Sequence, residues 1–568
     1  MSIDEDRAVK AAQDTVVRET DNGYRVLGAP EKSVTHQHDI DRIPEKDVTQ
    51  EMLSGSGENP EAWLVYGGNY EQHRYTTCEI ITPENVGELE LEYELSVGSG
   101  SSMEGTPLIV PGDPPIMYQS NGPNHIKAID PREGDVLWSY TYAVPNDVVL
   151  CCDDNNRGPA VYEDKVFMTT LDSGVVALDR YSGEEQWYHS TADHERGYSA
   201  TWAPQVYEGT LFTGSAGGEY GVRGFHTAID TGTGDEKWST LLSPETEWVG
   251  DSINQSATTN WMGATVDEER GKLYLPMGNP GPDFDGSVRP GPNRNSIGTL
   301  CLDLETGEHE WFHQESAHDV WDYDSAMPRI VIRDVEVRGK ERDVTVSVGK
   351  TGWLYTTDAE TGELLVRSEP LCQQLNMFRM IPHIDEGRRM PFMPGGMGGN
   401  DWQPGTYNPE LGISYHKLHN SPQEAWWRFE EFEAGKKYWG GILEDEIESH
   451  PDGYNGHIGV ISAVKPLTGE IVWQDWIDSD VYLWGGTMST KTGLMFAGNQ
   501  NGEMVGYDGE SGERLWEYDA GETPISGDPI SWYDPGTEKQ YVAIQVGGSG
   551  WLRRGKRDDR LLVFSMEE

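Results

Sequence analysis

The sequence predicts an all-β chain, an eight-bladed β-propeller with seven blades as the alternative. Three observations predict it. A motif of strand, Asp-x-x-x-Gly turn and second strand ending in an aromatic recurs along the chain. Gly (67), Trp (20) and Tyr (26) are abundant while Phe (11) is scarce, a composition suited to short strands and tight turns. No apolar run approaches the roughly 18 residues that a membrane-crossing helix needs.

The copies follow one another in order. AIDPREGDVLW ends at Trp138, ALDRYSGEEQW at Trp187, AIDTGTGDEKW at Trp238 and CLDLETGEHEW at Trp311. TTDAETGELLV ends at Val366, where the aromatic is lost; AVKPLTGEIVW ends at Trp473 and GYDGESGERLW at Trp516. Gly134, Gly183, Gly234, Gly307, Gly362, Gly469 and Gly512 hold one offset, where a tight turn needs positive φ. The tryptophans are spaced to dock between neighbouring sheets, because a four-stranded sheet cannot bury both faces alone and stacks radially instead. An eighth copy is read in ITPENVGELELEYEL, residues 81–95, with Tyr93 as its aromatic. The final strand, RLLVFSM, is expected to pair with that region and close the ring, which removes exposed sheet edges.

Residues 1–58 fall outside the pattern, are polar, and read as a loosely ordered N-terminal arm; residues 59–568 read as one propeller. The interval from Asp358 to Lys465 is about twice the usual spacing and contains MPFMPGGMGGNDWQPG, which reads as a long insertion at about 370–450 on the functional face.

Lys plus Arg total 43 against 97 Asp plus Glu, a net charge of −54 scattered along the chain. Self-repulsion on this scale strains a compact state at low salt, and at molar salt a Debye length of roughly 3 Å screens it. The acids therefore read as the solvated surface of a protein from a high-salt source, and they argue against nucleic acid as a partner. The N-terminus, MSIDEDRAVKAAQDTVVRET, has no apolar core and no twin-arginine pair, so no signal peptide is read there. Cys-x-x-Cys-His does not occur, so no c-type haem site is encoded.

Two of the five cysteines are adjacent, Cys151-Cys152 in LCCDDNNRG. Such a pair is either two reduced, buried thiols or a strained disulfide ring. The ring's flat apolar surface suits a planar ligand, and its reducibility asks for an oxidising compartment or a covering ligand.

The docking repeat together with the vicinal cysteines resembles the quinoprotein alcohol dehydrogenases, which hold pyrroloquinoline quinone (PQQ) in an eight-bladed propeller. The resemblance runs from about residue 58 to the C-terminus and includes WLVYGGNYEQHRYT as a first blade. It implies that Cys151 and Cys152 form a disulfide plate over one face of the quinone. Trp261, 18 residues before Asn279, is implied on the opposite face. Polar contacts are implied for Glu104, Arg157, Thr201, Thr259, Lys350 and Asp401, with Trp484 as an aromatic neighbour. Arg157 suits a quinone that carries three carboxylates. One departure is Ala216, which stands where the family has a serine.

The same resemblance implies a hard cation with oxygen donors from Glu219 in GSAGGEYGVRG, Asn279 in MGNPGPDFDG and Asp322 in HDVWDYDSAMP. Asp322 is also the implied catalytic base, taking the alcohol's hydroxyl proton as hydride passes to the quinone C5 beside a Lewis-acidic metal. Asp324, two positions on, matches the extra acid of lanthanide-dependent methanol dehydrogenases. Because W-D-x-D also occurs outside them, lanthanide(III) and Ca2+ both stay implied. The resemblance further implies a small primary alcohol as substrate, an external copper protein or cytochrome as electron acceptor, and work outside the cytoplasm. Two other readings compete. A non-catalytic assembly scaffold shares the docking repeat but has no use for Cys151-Cys152, Asn279 and Asp322 together. A PQQ-dependent sugar dehydrogenase is weaker, since the membrane forms lack the vicinal disulfide.

Overall fold

The computed structural model describes residues 16–20, 23–27, 31–98, 102–377, 389–444, 450–479, 481–548 and 558–567. Each of the seven copies from Ala128 to Trp516 becomes the third and fourth strands of an antiparallel sheet, whereas the eighth, residues 81–95, supplies only a fourth strand. In the sheet of Ala160–Tyr162, Lys165–Thr170, Gly174–Asp179 and Glu185–Ser190 the strands lie in sequence order, and ALDRYSGEEQW spans the last turn. The order recurs over residues 205–241, 265–314, 330–367 and 406–477. Residues 108–141 form a sheet joined on its outer side by Ser33–His36, and residues 487–519 one joined on its inner side by the parallel strand Tyr75–Thr76. In the sheet of residues 530–567 the outer strand is Glu90–Ser96, from the other end of the chain. The architecture is all-β and of propeller type.

The conserved offset of the repeat has a steric cause. Gly183 has φ 73°, and a Cβ there would come 2.7 Å from Trp138 Cε3 in the preceding sheet. Gly234 and Gly512 stand in the same relation to Trp187 and Trp473. Any side chain would both clash with the indole and strain the left-handed backbone. The indoles are also tied by hydrogen bonds: Trp138 Nε1 donates to Arg180 O at 3.0 Å and Trp516 Nε1 to Leu89 O at 3.0 Å. The turn aspartates satisfy the turn's own backbone, as where Asp179 Oδ1 accepts from Ser182 N at 2.8 Å.

Two expectations are corrected. Of the arm at 1–58, residues 1–15, 21–22 and 28–30 lie outside the described residues, but 31–58 are not loose. Ser33–His36 pairs with the outer edge of Asp135–Thr141, Thr49 caps the short helix Gln50–Ser54, and Ile43, Val48 and Leu53 are buried. An otherwise open sheet edge and three apolar side chains in a polar stretch account for this. The interval 370–450 is not one insertion. Thr406–Asn408 and Ile413–His419 are the first two strands of a sheet, which the repeat motif cannot mark because it spans only strands three and four. The added part is a three-stranded sheet of Met390–Phe392, Gln423–Trp427 and Gly441–Glu444; residues 378–388 and 445–449 lie outside the described ones. Among the described residues no helix is long and apolar enough to cross a membrane.

Strand alternation decides where a site can form. With strands one to four running antiparallel in order, the turns carrying Asp and Gly all fall at one end. The connections between second and third strands, and those entering each next sheet, fall at the other.

Candidate active site

That other end holds a cavity that opens to solvent. Segments entering the first strands supply Glu104, Cys151, Thr201, Trp261, Asp322, Asp401 and Trp484. Segments between second and third strands supply Glu219 and Lys350. Of the residues singled out in the sequence, all line this one cavity except Asn279.

Cys151 and Cys152 are joined as a disulfide, and their sulfurs and a Glu219 carboxylate oxygen lie within 4.8 Å of one another. Glu219 is presented by a single turn, Gly218–Tyr220, between Gly217 and Gly221, both left-handed. A Cβ on Gly217 would come 2.1 Å from Gly197 O, so the glycine-rich run is required by packing. Trp261 Nε1 donates to Asp324 Oδ1 at 3.3 Å. Arg157 lies 5.4 Å over the Trp261 ring and 4.8 Å over that of Trp402, and pairs with Glu104 at 2.7 Å. It also donates to Thr201 O at 3.2 Å. Thr259 O accepts from Gly278 N at 2.9 Å, which joins the Trp261 segment to that of Asn279.

Lys350 Nζ is the hub of the acidic side, 2.7 Å from Asp324 Oδ2 and 3.4 Å from both Asp322 Oδ2 and Asp401 Oδ1. Asp322 itself has φ 65°, a left-handed conformation that aspartate tolerates better than most side chains. Asn279 sits just behind the wall: its N–H donates to Asp324 Oδ1 at 2.9 Å and its Nδ2 to Asp283 Oδ1 at 2.7 Å.

The cavity's walls are a vicinal disulfide, tryptophan rings, two cationic side chains and a group of carboxylates, and the chain that builds them is similar to known proteins. A family model described as the β-propeller domain of glucose/ethanol/alcohol dehydrogenases, of the PQQ type, matches residues 63–370. The chain belongs to the PQQ-dependent alcohol dehydrogenases. The lanthanide-dependent methanol dehydrogenase of Methylacidiphilum fumariolicum is 30% identical to this quinoprotein, over 87% of this chain and 86% of that protein. The quinoprotein alcohol dehydrogenase PedH of Pseudomonas putida is 28% identical, over 89% of each chain. A solved europium-containing methanol dehydrogenase superposes with a TM-score of 0.83 at 27% identity, covering 91% of this chain and 100% of that one. A second family model, of the outer membrane protein assembly factor BamB, matches only residues 457–534, a stretch that carries the shared docking repeat.

The electrostatics of the quinoprotein's cavity follow from its walls. Seven acids line it against two cationic side chains, Arg157 and Lys350. Burial would lower Lys350, but Asp322, Asp324 and Asp401 outweigh it and keep the ammonium protonated. Burial raises the Glu219 carboxyl to about 7, with Asp324 adding to the rise and Lys350 opposing it. Burial likewise pushes Asp401 up to about 6 and Asp322 well above the usual carboxylate range, Lys350 pulling both down. Such a set suits a hard cation, which replaces the protons that the crowded carboxylates would otherwise hold. The flat disulfide and the Trp261 ring, with Arg157 and Lys350 at hand for carboxylates, suit a planar acidic quinone.

Sequence reasoning missed several wall residues. Asp283 is buried, and the aromatic and aliphatic side of the cavity comes from Phe284, Met397, Trp402, Trp439 and Leu443. Asp283 had a signal, an acid four residues after Asn279 in a Gly/Pro loop. Trp439 and Leu443 had none, because the hairpin that carries them lies outside the repeat.

Proposed function

We propose that this chain oxidises a small primary alcohol to the aldehyde with PQQ and one hard cation, a trivalent lanthanide ahead of Ca2+. When bound, the quinone supplies the two-electron acceptor and the cation a Lewis acid. Cys151–Cys152 and Trp261 hold the ring from opposite sides, and Arg157, Lys350, Thr201, Thr259, Asp401 and Glu104 hold its polar edge. Trp484 closes the wall beside Trp402, with which it stacks at 6.1 Å between centroids. Glu219, Asn279, Asp322 and Asp324 supply oxygen donors for the cation. Asp322 takes the hydroxyl proton of the alcohol, and the apolar wall of Phe284, Trp439 and Leu443 keeps water from the reacting carbon. Electrons leave to an external copper protein or cytochrome.

The observation that carries this reading is the meeting of Asp322, Lys350, Glu219 and the vicinal disulfide in one cavity, from stretches up to 199 residues apart. The names of two relatives, one lanthanide-dependent and one europium-containing, support the choice of cation. The vicinal disulfide supports a compartment more oxidising than the cytoplasm. The sheets of four or five strands, eight in number among the described residues, support eight blades over residues 59–568. The test is reconstitution of the full chain at molar salt with PQQ and La3+ or Ca2+, followed by dye-linked oxidation of ethanol. Turnover requiring both quinone and cation is expected; none with either cation would overturn the reading.

A further inference from the structure

We propose that Asp283 is a ligand of the same cation and, by adding a further carboxylate, makes the site select a trivalent over a divalent ion. The inference rests on the cation reading above and concerns a residue to which no role has yet been given.

Three observations lead to it. First, the charges in the cavity do not balance. Among the described residues, its ion pairs join Arg157 to Glu104 and Lys350 to Asp322, Asp324 and Asp401, and none reaches Glu219 or Asp283. A carboxylate only 3% exposed, with no ion-pair partner and only a weak pull from Arg289 against its burial, is poorly compensated unless positive charge comes from elsewhere.

Second, Asp283 is held in place from both sides. Asn279 Nδ2 donates to its Oδ1 at 2.7 Å. The buried guanidinium of Arg289 binds the loop's backbone, with Nε on Pro282 O at 3.0 Å and Nη2 on Asp283 O at 3.1 Å. Arg289 thus spends its donors on carbonyls and fixes the loop without an ion pair to the side chain, whose charge it offsets less than burial and Glu219 oppose it. Such bracing is what a preformed metal donor requires. An asparagine at 283 would accept the same bond from Asn279, so shape and hydrogen bonding alone do not explain the charge.

Third, Asp324 is already engaged. Its Oδ1 accepts from Asn279 N and Trp261 Nε1, and its Oδ2 from Lys350. Asp322 and Asp324 share Lys350, so of the acids assigned to the cation or proposed for it here, Glu219 and Asp283 are the two that no ion pair with Lys350 holds. Asn279 serves both sides of this arrangement: its amide nitrogen positions Asp283, while its Oδ1 lies 3.9 Å from the position of a Cβ on Gly218, toward the Glu219 turn. Each added carboxylate favours an ion of charge three over one of charge two, since the attraction scales with the product of charges.

The experiment uses the full chain at molar salt, freed of metal by a chelator and titrated with Eu3+ alone and in competition with Ca2+. Luminescence lifetimes in H2O and D2O count the water molecules bound directly to Eu3+. Asp283→Asn is expected to weaken Eu3+ by more than about tenfold, to shift the Eu3+/Ca2+ preference toward Ca2+, and to admit at least one more water. Asp283→Glu, which keeps the carboxylate, is expected to recover part of the affinity and serves if the asparagine variant folds poorly. A merely nearby charge would alter affinity without altering the water count. Unchanged water count and affinity in Asp283→Asn, with both changed in Glu219→Gln, would overturn the role of Asp283 and leave the cation site standing. No inner-sphere Eu3+ in the parent chain would overturn both.

Discussion

Asp322→Asn tests the base assignment with little collateral damage, and the reason is conformational. Asp322 sits at φ 65°, and asparagine is the substitution that accepts a left-handed backbone at least cost. The side chain is 18% exposed toward the cavity, so an isosteric amide opens no void in the core. Lys350 keeps Asp324 at 2.7 Å and Asp401 at 3.4 Å, so the quinone's polar edge is undisturbed. What disappears is the group that takes the hydroxyl proton, together with one negative charge of the cation's donor set, which is why the assay holds the cation saturating. A positioned general base contributes about 10^2–10^4 in rate, which at about 1.36 kcal/mol per decade is about 3–5 kcal/mol of barrier. The assay is kcat for dye-linked ethanol oxidation with quinone and cation saturating, beside quinone occupancy from its absorbance. The expected result is kcat lowered about 10^2–10^4-fold at unchanged occupancy. A kcat within about tenfold of the parent at full occupancy would refute the base role. So would a loss of occupancy large enough to account for the whole loss of rate. Asp322→Ala should in addition lose about 1 kcal/mol of stability, since alanine resists this backbone conformation.

Other outcomes follow from the scaffold. Arg74 is fully buried and donates to Thr487 O at 3.1 Å, Tyr66 O at 2.9 Å and Pro529 O at 3.0 Å beside the buried Asp528; Arg74→Met should cost about 3–5 kcal/mol in denaturant unfolding, and an unchanged midpoint would remove it from that role. Gly183→Ala places a Cβ 2.7 Å from Trp138 at φ 73° and should cost about 1–3 kcal/mol, while Gly87→Ala, with nothing within 4 Å, should cost under about 0.5 kcal/mol; equal losses in thermal unfolding would contradict the docking account. Burial lowers Lys417 to about 7 from its ordinary 10.5, with Asp528 opposing, and its ammonium donates to Trp484 O and Gly498 O. Between about pH 7 and 10.5 the unfolded chain then binds a proton that the folded chain does not, so this residue's contribution to stability rises with pH across that window, by about 5 kcal/mol. The stability difference between the parent and Lys417→Met should change accordingly over pH 7–10.5, and a flat difference would show that Lys417 does not titrate there.

Much of the fold was legible because its instructions are local. An aspartate that caps its own turn, a glycine forced by a neighbouring indole and the indole itself lie within eleven residues, and most copies repeat them. The first two strands of each sheet carry no such marker, which is why Ile413–His419 was read as part of an insertion. Ser33–His36 was missed for a different reason: its partner is an edge defined only once Asp135–Thr141 is in place. At the site, Cys151 was legible as one of an adjacent pair, while Trp261, Glu219 and Asp322 were legible only through the family resemblance. The hydrogen bond that turns Asn279 toward Asp283, and the arrival of Trp439 and Leu443 from a hairpin, depend on tertiary packing that no single stretch encodes.

The strand Arg560–Glu567 lies between Lys539–Val546 and Glu90–Ser96. A chain that has folded every cavity segment through Trp484 but not yet placed Arg560–Glu567 therefore still exposes Glu90–Ser96 as an orphan edge. Cutting away Arg560–Glu567 should open the ring between its two ends, however complete the cavity's own segments are.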